Sequence, residues 1–323
     1  MNLLRRRFLH WAAGAALLPV VSRRAWSETY PSRPVRMLVG FPAGNAPDII
    51  ARLVGQGLSD RLGQQFVIEN RPGAASNIAT EAALSAPADG YTLLLIVLTN
   101  VFNATLYSNL KFNFMRDIAP VAAIADAPYL VVVNPSFPAK TIPELIAYAK
   151  ANPGKINYAS GGNGSSSHVF GELLKKMADV DLVHVPYRSS FMPDLLAGQV
   201  QMTINPIPQA SEYVANGKLR GLAVTTAERL PALADMPTVA EFVPGYVATG
   251  WYGLCVPRNT PAEIVNTLNA AMNAALADPK AKARLLALGV EAMTMTPSQF
   301  GKFVAADFEK WAKVIKSAGI KPD

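Results

Sequence analysis

Apolar and polar positions change rhythm repeatedly along this chain. Short β-branched runs read as strands: "VRMLVGF", "QFVIEN", "YTLLLIV", "LVVVN", "INYAS", "LVHVPY", "LRGLAVT" and "YGLCVP". Amphipathic stretches at helical spacing fall between many of them, over 49–62, 142–151, 169–178 and 207–215. Strands alternating with helices predict an α/β fold with mainly parallel sheets and helices on their faces. Four helix starts carry the capping-box spacing: Thr141 with Glu144, Thr238 with Glu241, Thr260 with Glu263 and Thr296 with Gln299. Pro261 and Pro297 are expected at first helical positions, where a missing N–H costs nothing. Beyond Thr260 the pattern is helical only, and Phe300, Phe303, Val304, Phe308, Trp311 and Ile315 form one core-facing stripe. Helices without strands must cover a sheet made earlier in the chain, so two α/β domains are expected. Chain crossings between them fall near 125–134 and 246–257.

The first residues stand outside this pattern. Arg5, Arg6 and Arg7 precede an apolar stretch too short to span a bilayer, and small residues at Ala25 and Ser27 follow. This reads as a twin-arginine-like export signal over 1–27, cleaved before Glu28, and the expected compartment is the periplasm. The signal changes the charge argument. The whole chain has 30 basic and 23 acidic residues, net +7, and the segment 1–27 holds five arginines and no acid. The remainder has 30 − 5 = 25 against 23, net +2. That balance gives no reason to expect nucleic acid as a partner. Cys255 is the only cysteine, so no intramolecular disulfide is possible, and its apolar surroundings make it a core residue.

Enzyme signatures are sparse. "GGNGSSSH" follows a strand but has no P-loop lysine and misses G-x-G-x-x-G. Ser108 and Lys111 fit S-x-x-K without its companion motifs, and no G-x-S-x-G occurs. Outside the signal, His168 and His184 are the only histidines, a poor supply for zinc or triad chemistry. His184, in a strand-like run, reads as structural. No metal or cofactor is expected. A secreted hydrolase or isomerase using Asp48 or His168 as base is the alternative, but neither has an evident catalytic partner.

Polar loops follow four of the strands: 41–48, 70–82, 98–107 and 160–168. Ligands of parallel sheets bind beyond the carboxyl ends of the strands, and helix N-termini there favour carboxylates. Gly161, Gly162 and Gly164 allow close backbone approach, and Ser165, Ser166 and Ser167 add hydroxyls.

The stretches "YPSRPVRMLVGFPAGNAPDIIARLV", "VIENRPGAASNIATEAALSAPADGYTLLL", "YASGGNGSSSHVFGELL", "LVHVPYR", "GKLRGLAVTTAERLPALADMPTVAEF" and "WYGLCVPRNTPAEIVNTLN" carry a resemblance. The chain resembles the substrate-binding proteins of tripartite tricarboxylate transporters, the Bug family. The resemblance implies a two-domain periplasmic binding protein of type II-like, Venus-flytrap form, with the ligand between the domains. It implies 28–126 plus 250–323 as the first domain and 127–249 as the second. It further implies capture of a small carboxylate, delivery to cognate membrane permease subunits, no catalysis, and a monomer. A sensory receptor as recipient is the variant of that role. By the same resemblance the ligand set is Phe41, Ala43, Gly44, Asn45, Asp48, Ser76, Asn77, Thr99, Asn100, Ser160, Gly161, Ser165, Ser166, Ser167 and His168, with Tyr187, Phe191 and Asn205 from the second domain. Asp48 is expected to cap a helix and to accept a hydrogen bond from ligand or site water, and Phe41 and Phe191 to form apolar walls. The chain departs from the family pattern at Asn45, Pro47, Ala75, Ser76 and in "SSFMPDLL", and Asn205 stands where an aspartate is usual. These changes make the second-domain wall less acidic, so the ligand is expected to be either an aliphatic dicarboxylate or an aromatic acid.

Overall fold

The computed structural model describes residues 29–321 apart from residue 188, so the expected export signal and its cleavage point lie outside the described residues. Two five-stranded sheets organise the chain. Sheet 1 has the order β2 (Phe66–Asn70), β1 (Val35–Val39), β3 (Thr92–Val97), β10 (Gly250–Pro257), β4 (Ile118–Ala127). Sheet 2 has the order β7 (Val183–Pro186), β6 (Asn157–Ser160), β8 (Met202–Pro206), β5 (Tyr129–Val133), β9 (Arg220–Val224). Each sheet is parallel except for one strand, β10 in the first and β5 in the second. Those are the two strands by which the chain enters from the other sheet. A chain arriving at the carboxyl edge of parallel strands has to run back against them, so each crossing strand is antiparallel.

Eleven α-helices flank the sheets among the described residues: α1 (Ala46–Leu62), α2 (Asn77–Leu84), α3 (Leu98–Leu106), α4 (Phe114–Asp117), α5 (Ile142–Ala151), α6 (Ser166–Ala178), α7 (Met192–Leu196), α8 (Ile207–Ala215), α9 (Ala262–Ala277), α10 (Pro279–Ala287) and α11 (Pro297–Ser317). The C-terminal helices return to sheet 1, with α9 against α1 and β4 and α11 against α3 and β4. The predicted stripe of α11 buries Phe300, Val304, Trp311 and Ile315 fully and Phe303 and Phe308 in part. Cys255 is fully buried inside β10.

Local rules hold at three of the four predicted capping positions. The hydroxyls of Thr141 and Thr296 accept from the backbone N–H three residues on, and Gln299 returns a bond to Thr296. Thr238 and Glu241 complete the same exchange around a single 3₁₀ turn. Thr260 departs from the expectation. Its hydroxyl donates back to the Pro257 carbonyl at 2.8 Å, and Pro261 sits one position before the helix instead of inside it.

An aromatic cluster joins the two halves. Phe170 of α6 lies 4.9 Å from Tyr129, 5.1 Å from Trp311 and 6.4 Å from Phe102, ring centre to ring centre. Phe102 comes from α3 beside sheet 1, so this packing is continuous across the two sheets. Among the described residues no helix is long and apolar enough to cross a membrane.

Candidate functional site

The loop after β1 is held from within. Asp48, expected to meet a ligand, is the third residue of α1, and Asn45 precedes the helix without a side-chain cap. Asp48 Oδ2 accepts from the Gly44 N–H at 2.9 Å and from Arg52 Nε at 3.0 Å. Its Oδ1 accepts from Asn70 Nδ2 at 2.9 Å and faces the Arg52 guanidinium at 2.9 Å. A carboxylate has about four lone-pair positions, and these partners fill them. Burial pushes the Asp48 carboxyl up, but the bonds from Arg52, Gly44 and Asn70 outweigh it and hold the group below the usual carboxylate range. Asp48 is therefore a strut of the loop with no acceptor left for a ligand. Asn70 Nδ2 also donates to the Phe41 carbonyl, tying the loop to the end of β2. Ala43 and Gly44 form an exposed lip, and Phe41 and Asn45 are half-buried.

The second loop presses against the first. A Cβ on Gly40 would overlap the Ser76 side chain and stand 2.8 Å from the Ser76 Cα, so only glycine allows this approach. The residues on the other side of that contact are strained. Ala74, Ala75 and Ser76 have φ of 47°, 50° and 75°, three successive left-handed residues that carry side chains. The turn they make feeds Asn77 into α2. The N-terminus of α2 begins there, and the positive end of a helix dipole favours an anion.

The third predicted loop is a helix. Residues 98–106 continue from β3 into α3 without a connection, so Thr99 and Asn100 occupy a first helical turn. Asn100 makes the join: its Oδ1 accepts from the Val97 N–H at 2.8 Å, and its Nδ2 donates to Ser76 Oγ at 3.2 Å and Thr80 Oγ1 at 3.0 Å. One turn on, Asn103 Nδ2 donates to the Ala75 carbonyl at 2.6 Å and to Asn77 Oδ1 at 3.0 Å. Sequence reasoning missed Gly40, Asn70 and Asn103. Reading "TNVFNATL" as a helix would have found Asn103, four residues after Thr99 and on its face.

The second wall comes from sheet 2. Ser160 is fully buried; its Oγ lies 2.6 Å from His184 Nε2, donates to the Gly162 carbonyl and accepts from the Gly162 N–H. Ser160 thus shapes the glycine turn. Ser165 caps α6 by accepting from the His168 N–H, and Ser166 bonds to Tyr129. Ser166, Ser167 and His168 are buried in the first turn of that helix. His168 Nδ1 accepts from the Gly164 N–H at 3.1 Å, which places the ring proton on Nε2. Its ring stacks on His184, centres 3.7 Å apart and planes within 4°. Burial first, then the Lys175 charge, pushes His168 down to about 4, so it is a neutral donor at neutral pH and no general base.

A stability test follows from His168. Its folded value lies below the ordinary one near 6.5, so the unfolded chain binds the proton more tightly. The contribution is present above pH ~6.5 and is lost as pH falls toward about 4. Over that window the wild type should lose about 3 kcal/mol more than His168→Asn, whose side-chain oxygen still accepts from Gly164. Urea unfolding at stepped pH measures this, and parallel curves for the two proteins would contradict it.

Tyr187 packs beside the glycine turn, and burial followed by its hydrogen bond to Asp194 pushes its phenol up to about 12. Phe191 is 9% exposed and belongs to a core of sheet 2 with Leu130 and Leu195, so it supports the wall from behind. Asn205 lies opposite Leu130 near the end of β8. It is 1% exposed and its Nδ2 has no partner. The two walls meet where a Cβ on Gly164 would stand 2.6 Å from the Leu106 side chain of α3. Among the described residues no group of three His, Cys, Asp or Glu is placed to hold a metal.

"Protein BugT" of Bordetella pertussis is 34% identical over 300 residues, covering 91% of this chain and 92% of that protein. The structure described as "R. palustris Rpa4515 with adipate" has 37% identity and a TM-score of 0.86, covering 91% of this chain and all of the other. "MatC (Rpa3494) from Rhodopseudomonas palustris with bound malate" has 31% identity and a TM-score of 0.82, covering 88% and 100%. The pattern of the Tripartite tricarboxylate transporter family receptor matches residues 50–320. The fold is that of a two-domain periplasmic binding protein. The chain belongs to the tripartite tricarboxylate transporter receptor family, the Bug proteins, which are periplasmic solute-binding proteins and not enzymes.

Proposed function

We propose that this protein captures a small organic acid in the periplasm, between its two lobes, and delivers it to a tripartite membrane transporter. The lobes are 28–126 plus 250–323 and 127–249, and closure is a hinge motion favoured by a ligand that touches both. Asn77 Nδ2 and Asn205 Nδ2 carry this reading. Each is buried and unpartnered, each lies where chain leaves sheet or loop for a helix, and each lobe supplies one. Buried amide donors without partners call for acceptor oxygens, which an organic acid supplies from its carboxylates and from any hydroxyl it carries. Apart from Asp48, which is fully engaged, the candidate residues are neutral. Neutral donors and helix N-termini suit a carboxylate without a lysine or arginine clamp. Adipate in one relative's structure and malate in another's support the class.

Thermal-shift screening against aliphatic and aromatic mono-, di- and tricarboxylates tests the proposal. A true ligand at a hundredfold excess over its Kd should stabilise the protein by about 2.7 kcal/mol. Asn205→Leu should weaken that ligand by about tenfold or more. A response confined to amines or neutral sugars would overturn the assignment.

A further inference from the structure

Three buried side-chain atoms near the proposed cleft lack partners, and they are not all donors. Asn77 Nδ2 is a donor, but Asn103 Oδ1 is an acceptor. Their orientations are dictated by the network. The Ala75 carbonyl can only accept, so the Asn103 atom 2.6 Å from it is the amide nitrogen. That nitrogen's second hydrogen goes to the Asn77 atom 3.0 Å away, which must therefore be oxygen. Turning either amide over would set oxygen against oxygen or nitrogen against nitrogen. The unpaired donor and the unpaired acceptor are thus fixed, and they belong to two side chains already bonded to each other. Asn77 is 7% exposed and Asn103 1%, so bulk water does not satisfy them. Asn103 shares its helix face with Thr99 and Leu106, and Leu106 is the residue that meets Gly164 of the other lobe. The pair therefore lies on the side of the first lobe that the second closes against.

A carboxylate oxygen can only accept. It would satisfy Asn77 and leave Asn103 Oδ1 facing a second acceptor. A hydroxyl accepts from one neighbour while donating to another. We propose that Asn77 Nδ2 and Asn103 Oδ1 read a hydroxyl group on the ligand, so that this receptor selects hydroxy-substituted carboxylic acids over their unsubstituted counterparts. The inference rests on the carboxylate reading above and narrows it.

Isothermal titration of the full chain with matched acids tests it: succinate against malate, and adipate against 2-hydroxyadipate. In the wild type the hydroxy acid of at least one pair should bind about tenfold or more tightly, the worth of one well-formed hydrogen bond. Asn103→Leu should bring the ratio within that pair to about one, whatever it does to absolute affinity. Asn77→Asp keeps the bond from Asn103 and replaces the free donor by an acceptor. Two acceptors then face the ligand, and preference should move from the hydroxy acid to the 2-amino acid, aspartate in the shorter pair. Equal affinities within each pair in the wild type mean that a buried water fills the position, and that overturns this inference alone. A hydroxyl preference unchanged in both variants also overturns it. No response to any acid removes the carboxylate reading and this inference together.

Discussion

Phe170→Ala should lower the unfolding free energy by about 3–5 kcal/mol. Phe170 is fully buried and its ring touches the rings of Phe102, Tyr129 and Trp311. Removing it leaves a cavity whose walls come from α3, β5 and α11, which cannot all move inward together. The aromatic edge contacts add about 0.5–1.5 kcal/mol each beyond the area they bury. Denaturant unfolding followed by Trp fluorescence reads both the stability and the cluster itself, since Trp311 is one of its members. A loss below about 1 kcal/mol would mean that the cluster closes up without cost, and that the two halves do not share one core here.

Gly40→Ala is the second large effect, and it separates binding from folding. The new Cβ overlaps the Ser76 side chain and comes within 2.8 Å of the Ser76 Cα, which no rotamer change relieves. Ser76 cannot retreat easily, because it accepts from Asn100 and its own backbone is already left-handed. The turn 74–76 must shift, carrying Asn77 with it. Overpacking of this kind costs about 1–3 kcal/mol of stability. Affinity for the best acid should fall far more, by about a hundredfold, since a displacement near 1 Å ruins hydrogen-bond geometry. Calorimetric titration alongside a melting curve checks the pair of outcomes. Unchanged affinity in a folded variant would show that the Gly40–Ser76 contact does not hold the site.

Much of the fold was legible because periodicity and burial agree. The stripe on α11, the Thr141 and Thr296 caps and the strands on either side of the loops all follow from side-chain pattern. Of the elements that escaped, β8 among them, two show the reason. β4 reads "IAPVAAIADA", with five alanines and a proline, poor strand material that is held by β10 alongside it. α3 is rich in asparagine, threonine and β-branched residues, weak helix formers, and it forms because Asn100 bonds back to Val97. Three of the four loop positions could be read; what the loop side chains do could not. Asp48 reads as available in the sequence, but Arg52 and Asn70 occupy its oxygens. The unpaired atoms of Asn77, Asn103 and Asn205 depend on contacts between segments far apart in sequence, which no local rule encodes.

The position of β10 between β3 and β4 sets the order in which the chain can fold as it is made. Until residue 257 has left the ribosome, β4 has no strand beside it in sheet 1 and β3 keeps an open edge. Sheet 2 draws all its strands from 129–224 and can close earlier. The half begun first is thus finished last, and its two bare edges wait through more than a hundred residues of synthesis. Chains released before β10 would expose those edges to one another, so premature termination should yield aggregates and not a functional half.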